Sequence, residues 1–217
     1  MPTFPPKPLA PAEFLEQYLA PAFAELPPPA GTEGLNALLG LRLEGEGGGE
    51  WRLRLDAGKA SVDAGSRLEA AHTLILAVGD WRDALWEGRG SHVGKAISVL
   101  FEPGSADAEK LSVLGAASAG KMLEALSEIR GRVRVAIADG LGEWHVDVQL
   151  GAGDIEDEPT ATVRMTDLDL DQIVAGQLHP MEAWMDGRIR VIGDMTLLLQ
   201  IQAAQMQVSG VQGFLPG

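Results

Sequence analysis

Apolar and polar residues alternate along several short runs of this chain, the period of a strand covered on one side. The runs are LLGLRLEG at 38–45, WRLRL at 51–55, HTLILAV at 72–78, GRVRVAIADG at 131–140, WHVDV at 144–148 and ATVRM at 161–165. Between them the spacing changes to that of one-sided helices, in FLEQYLA at 14–20, WRDALWEG at 81–88, KMLEALSEI at 121–129 and DLDQIVA at 169–175. Strands and helices mixed in this order, with short connections, predict an α+β fold.

The strongest punctuation falls in 166–206. Thr166 or Asp167 is a candidate N-cap, Leu170, Ile173 and Val174 form a helical face, and Gly176 stops the helix. Pro180 then opens a short helix that carries Met181, Trp184 and Met185 and ends at Gly187. Arg188 to Ile192 alternates as a strand, Gly193 and Asp194 make a turn and cap, and Met195 to about Met206 reads as a final helix.

The tripeptide Gly-Glu-Trp at 49–51 recurs at 142–144, each time opening an alternating run, with Leu53 and Leu55 in one case and Val146 and Val148 in the other. Each copy is preceded by a helix and a strand and followed by a strand and a short helix ending in Gly. This predicts two copies of one unit, 1–108 and 109–217. The first copy is expected to close with a strand at 94–100, GKAISVL, ended by Phe101-Glu-Pro-Gly. The boundary falls within 101–122, where Ser105 is a candidate cap for a helix through Leu111 and Leu114. Whether that helix closes the first copy or runs on to Ile129 is left open by the sequence.

The order of signals in 166–206 resembles the C-terminal half of a sterol carrier protein type-2 domain. The residues that carry the likeness are Asp167, Asp169, Gly176, Pro180, Trp184, Gly187, Arg188, Arg190, Ile192, Gly193, Asp194 and Met195. The GEWHVDVQLG strand at 142–151 matches the same family's G-x-W strand, so the likeness spans the second half. It implies a mixed, mainly antiparallel sheet of about five strands per unit, covered by helices. It also implies non-enzymatic binding and transfer of a fatty acid, fatty acyl-CoA, sterol or similar lipid in an apolar tunnel.

Composition agrees with that reading. The chain has no cysteine, which excludes disulfides and thiolate metal sites. A formal charge of −14 disfavours nucleic acid and anionic lipid surfaces as partners. No apolar run is long enough for a transmembrane segment, and the N-terminal MPTFPPKPLAP is too rich in proline for a signal-peptide core. With GFLPG instead of a peroxisomal tripeptide at the C-terminus, the cytoplasm is the expected location.

On a helical wheel Leu197, Leu198, Leu199, Ile201 and Met206 spread over more than half the circumference, more than a surface helix needs. The excess calls for a second cover: the other copy, a second chain, or an apolar ligand. Six of the seven methionines lie between 122 and 206, and methionine adapts to variable hydrocarbon shapes. The expected ligand-binding residues are therefore Ile173, Met181, Trp184, Met185, Met195, Leu198, Ile201, Gln202 and Met206. Gln202 coincides with a glutamine of the resembling family and is the expected polar contact. The first copy lacks the Pro180 helix and carries Trp81 and Trp86, so it is expected to be degenerate and ligand-free.

Other constellations carry no chemistry. His72, His92, His145 and His179 have no metal-ligand spacing and read as surface or turn residues. DIEDE at 154–158 lacks the glycine and terminal glutamate of a calcium loop, GEGGG at 45–49 lacks a following Lys-Ser/Thr, and no strand leads into GAASAG at 115–120. No catalytic group, metal or cofactor is expected. The alternative function is a structural, dimerising or accessory module with a closed core, as a homodimer or beside a partner enzyme.

Overall fold

The alternating runs pair into one sheet. The computed structural model describes residues 3–27, 36–105 and 121–209. Its strands are β1 (Ala37–Glu44), β2 (Gly49–Asp56), β3 (Lys59–Ala64), β4 (His72–Ala77), β5 (Gly131–Asp139), β6 (Gly142–Leu150), β7 (Ala161–Thr166) and β8 (Arg190–Gly193). They lie in the order β3-β2-β1-β4-β6-β5-β7-β8. The β1–β4 and β5–β7 pairs are parallel and the other neighbours antiparallel.

The strands expected in two sheets are thus joined edge to edge, β4 to β6, with Leu74 opposite Val148 and Ile75 opposite Asp147. In the first half Leu41 of β1 lies between Trp51 and Leu74. In the second half Ile137 of β5 lies between Trp144 and Met165. Strand β3 is absent from the reading above because KASVDA carries only Ala60, Val62 and Ala64 as its inward row. It follows a tight turn in which Ala57 and Gly58 both have positive φ, 47° and 80°.

The helices are a π-type stretch Glu13–Leu19 running into α1 (Ala20–Glu25), α2 (Val78–Arg82) running into π-type turns at Asp83–Glu87, α3 (Ser91–Leu100), α4 (121–126), α5 (Asp167–Val174), α6 (Pro180–Met185) and α7 (Met195–Ser209). The strand expected at 94–100 is a correction: this segment belongs to α3. Beside β4, where a further strand of the first half would pair, β6 already stands. The decisive spacing begins one residue earlier than the expected strand, since Val93 packs on the core and Ile97 and Phe101 are buried, at i, i+4 and i+8. The Ser105 cap and its helix, and GAASAG, lie largely outside the described residues.

The helices of the described residues pack on one face of the sheet. The inward row runs through Leu41, Trp51, Leu76, Trp144, Ile137 and Val163, all in one continuous core with Phe14, Trp81, Leu170 and Leu197. Phe14 packs its ring against those of Phe4, Tyr18, Trp81, Trp86 and Phe101, with centroids 5.0 to 6.4 Å apart. These rigid rings fill the interior of the first half. The opposite face carries charge. Asp147, 1% exposed, accepts from Arg132 Nε at 2.6 Å and Arg134 Nε at 2.7 Å, so its buried carboxylate is compensated.

Candidate ligand-binding site

The site expected from the sequence is framed by α5, α6 and α7. Thr166 caps α5: its hydroxyl accepts from the Asp169 amide at 3.1 Å and donates to Asp169 Oδ2 at 2.7 Å. Arg188 then ties α5 to the chain after α6, donating from Nε to Asp169 Oδ1 and from Nη2 to Gln172 Oε1, each at 2.6 Å. Burial acts to raise the Asp169 carboxyl, but the Thr166 and Arg188 hydrogen bonds outweigh it and hold the group below its ordinary value. His179 Nδ1 accepts from the Met181 amide at the start of α6, and Asp194 Oδ1 accepts from the Thr196 amide at the start of α7.

The nine expected residues divide by orientation. Leu198 and Gln202, 5% and 8% exposed, face inward from α7, and Ile201 is half-buried beside them. Ile173 and Met195 pack on the same core. Met181 is half-buried on α6, where Ala183 is the residue that points fully inward. Trp184 is 39% exposed and Met185 73% exposed, so with Met181 they form an outward stripe at i, i+3 and i+4. Met206, 47% exposed, and Leu199 lie on the outer side of α7. The wide apolar arc of α7 therefore has one side on the sheet and another facing out.

Two clefts of about 460 Å³ border α3, one lined by Arg89, Ser91, His92 and Asp171, the other by Leu85, Trp86 and Val99. Neither includes any of the nine residues. The first cleft spans the two halves: Arg89 Nε donates to Asp139 Oδ2 at 2.8 Å, and the Ser91 hydroxyl donates to Asp171 Oδ1 at 2.6 Å.

The histidines include a residue that spacing rules missed. His72, expected at the surface or in a turn, is only 5% exposed, and its Nε2 lies 3.2 Å from the Leu123 carbonyl of α4. The available signal was its place at the head of an otherwise apolar strand. His145 lies 3.4 Å from Asp80 and His92 3.4 Å from Asp171. Among the described residues no three His, Asp or Glu side chains gather into a metal site, and no helix is long and apolar enough to cross a membrane.

The SCP-2 sterol transfer family matches residues 111–206. Sterol carrier protein 2 of Rattus norvegicus is 28% identical over 173 residues, which covers 72% of this chain and 31% of that protein. The Homo sapiens protein of the same name is 25% identical with the same coverage. The chain spans about a third of the length of these relatives. Among solved structures, the sterol carrier protein domain 2 of Helicoverpa armigera is 20% identical, with a TM-score of 0.34 over 51% of this chain and 94% of that one. The apo form of Sterol Carrier Protein 2 from Yarrowia lipolytica is 15% identical, with a TM-score of 0.31 over 45% of this chain and 84% of that one.

Proposed function

We propose, from the premise that residues 111–206 are an SCP-2 family domain, that this chain binds a fatty acid, fatty acyl-CoA, sterol or similar lipid and hands it on without changing it. The observation that carries the reading is that α7, apolar on two sides, stands over the start of β5, with Leu197 above Gly131, and shares one apolar core with Val133, Val146, Val163 and Met165. Uptake is driven by apolar burial, about 25 cal/mol per Å² removed from water. Movement of α7 gates exit. Met195, Leu198, Ile201, Gln202 and Ile173 form the inner contacts, and Met181, Trp184, Met185 and Met206 meet the ligand as it enters. The formal charge of −14 ranks neutral or mono-acidic lipids ahead of a CoA head group.

The reading also assigns two related units, 1–108 and 109–217, of which the second binds. It is supported by the matching triplets Trp51-Leu41-Leu74 and Trp144-Ile137-Met165, each on an antiparallel and a parallel neighbour of its central strand. The rings around Phe14 support a filled first unit. A second reading, an accessory or dimerising module without ligand, is favoured by the outward stripe of Trp184 and Met185. Native mass spectrometry of the purified chain separates the two. A co-purifying lipid mass supports the carrier, while a bare monomer or dimer that stays bare after incubation with lipid supports the module.

A further inference from the structure

The side of the sheet that faces the helices is apolar at almost every position. Following the register across all eight strands, the inward residues are Ala, Val, Leu, Ile, Met, Trp or Gly, with two exceptions. Asp139 is at the β5–β6 turn, where it is bonded to Arg89. The other exception is His72. It stands in one cross-strand row with Leu39, Leu150 and Gly131. Leu123 of α4 lies over the His72 end of the row and Leu197 of α7 over the Gly131 end, two strand spacings or about 10 Å away. His72 is thus on the sheet floor between α4 and α7, the second of which borders the compartment proposed above.

Its two nitrogens are not equivalent. The Leu123 carbonyl can only accept, so Nε2 carries the hydrogen and Nδ1 presents a lone pair. Nδ1 is buried and has no hydrogen-bond partner among the described residues. Burial, with Arg130 as the charged neighbour, holds the ring below its ordinary pKa, against the opposing effect of the Leu123 bond. At neutral pH the ring is therefore an acceptor in an apolar wall.

We propose that His72 is the polar anchor of the ligand compartment, its Nδ1 accepting a hydrogen bond from the O–H of a lipid alcohol, sterol hydroxyl or protonated carboxylic acid. This rests on the carrier reading and extends it in two ways. The ligand head lies at the seam of the two halves, so the first half contributes a binding residue. The head group must also be a donor, which a fully substituted ester or ether is not. An acceptor left without a partner when such an analogue binds makes the site discriminate against it.

The test uses the full chain and two probes of equal chain length, dodecan-1-ol and its methyl ether, each titrated as a competitor of a fluorescent fatty acid. Wild type is expected to bind the alcohol roughly three- to tenfold more tightly than the ether. His72→Phe keeps a flat ring in place and has no acceptor where Nδ1 stood, at the cost of the hydrogen bond to the Leu123 carbonyl. It is expected to bind both probes equally, at the wild-type affinity for the ether. The ¹⁵N resonance of His72 Nδ1 in wild type gives a readout independent of how the variant folds, and it is expected to shift with the alcohol and stay in place with the ether. Equal binding of the two probes by wild type, an alcohol preference that survives in His72→Phe, or an Nδ1 resonance indifferent to the alcohol overturns the anchor while leaving the carrier standing. Uptake of neither probe overturns both.

Discussion

Leu197 occupies the space above Gly131: a Cβ built on that glycine would lie 2.7 Å from Leu197 Cδ2 and 3.1 Å from Thr160 Oγ1. Gly131 also has φ of +138°, which side chains rarely adopt. The first residue of β5 thus sets how closely α7 approaches the sheet. Gly131→Ala is expected to lower stability by about 1–3 kcal/mol in urea denaturation. Adding Leu197→Ala should recover the steric part, so that the double variant is less destabilised than the two single effects combined.

The Arg188–Asp169 pair makes a prediction in pH. The Asp169 carboxyl is held below its unfolded value, so its contribution to stability is present above about pH 4 and is lost as pH falls through the folded value. Arg188→Met removes the partner of a carboxylate that is 6% exposed. At pH 7 the variant is expected to lose about 1–3 kcal/mol, with the difference from wild type shrinking toward pH 3. A difference that stays constant between pH 7 and pH 3 would show that the guanidinium contributes only packing.

His72 gives the opposite end of the titration range. Its folded pKa lies below the unfolded value of about 6.5, so the unfolded chain binds the proton more tightly. The histidine costs nothing above about pH 7.5, and stability falls as pH drops below about 6.5. Chemical denaturation at pH 7.5 and pH 5.5 should show a smaller loss on acidification in His72→Gln than in wild type.

Much of this was legible in the chain. Thr166, Gly176, Pro180, Gly187 and Asp194 mark element ends through local backbone chemistry, and α5, α6, β8 and α7 follow them closely. The Trp strands were equally clear because alternation and hairpin spacing are local. What the residues could not reveal is non-local. GKAISVL reads as a strand until β6 is known to hold the edge of β4. The outward turn of Trp184 and Met185 depends on Ala183 and Ile189 taking the inner positions. The burial of His72 depends on α4, which is distant in sequence.

The central claim is that an apolar ligand occupies the compartment beside α7, and the most direct measurement is titration of a fluorescent fatty acid into wild type and Leu198→Glu. Leu198 is 5% exposed, and a carboxylate desolvated there against hydrocarbon costs several kcal/mol. The account predicts a saturable fluorescence gain in wild type that disappears in a Leu198→Glu protein shown by circular dichroism to remain folded. No saturable gain in wild type across a panel of chain lengths and sterols, with Leu198→Glu simply unfolding, would contradict it and leave a packing module.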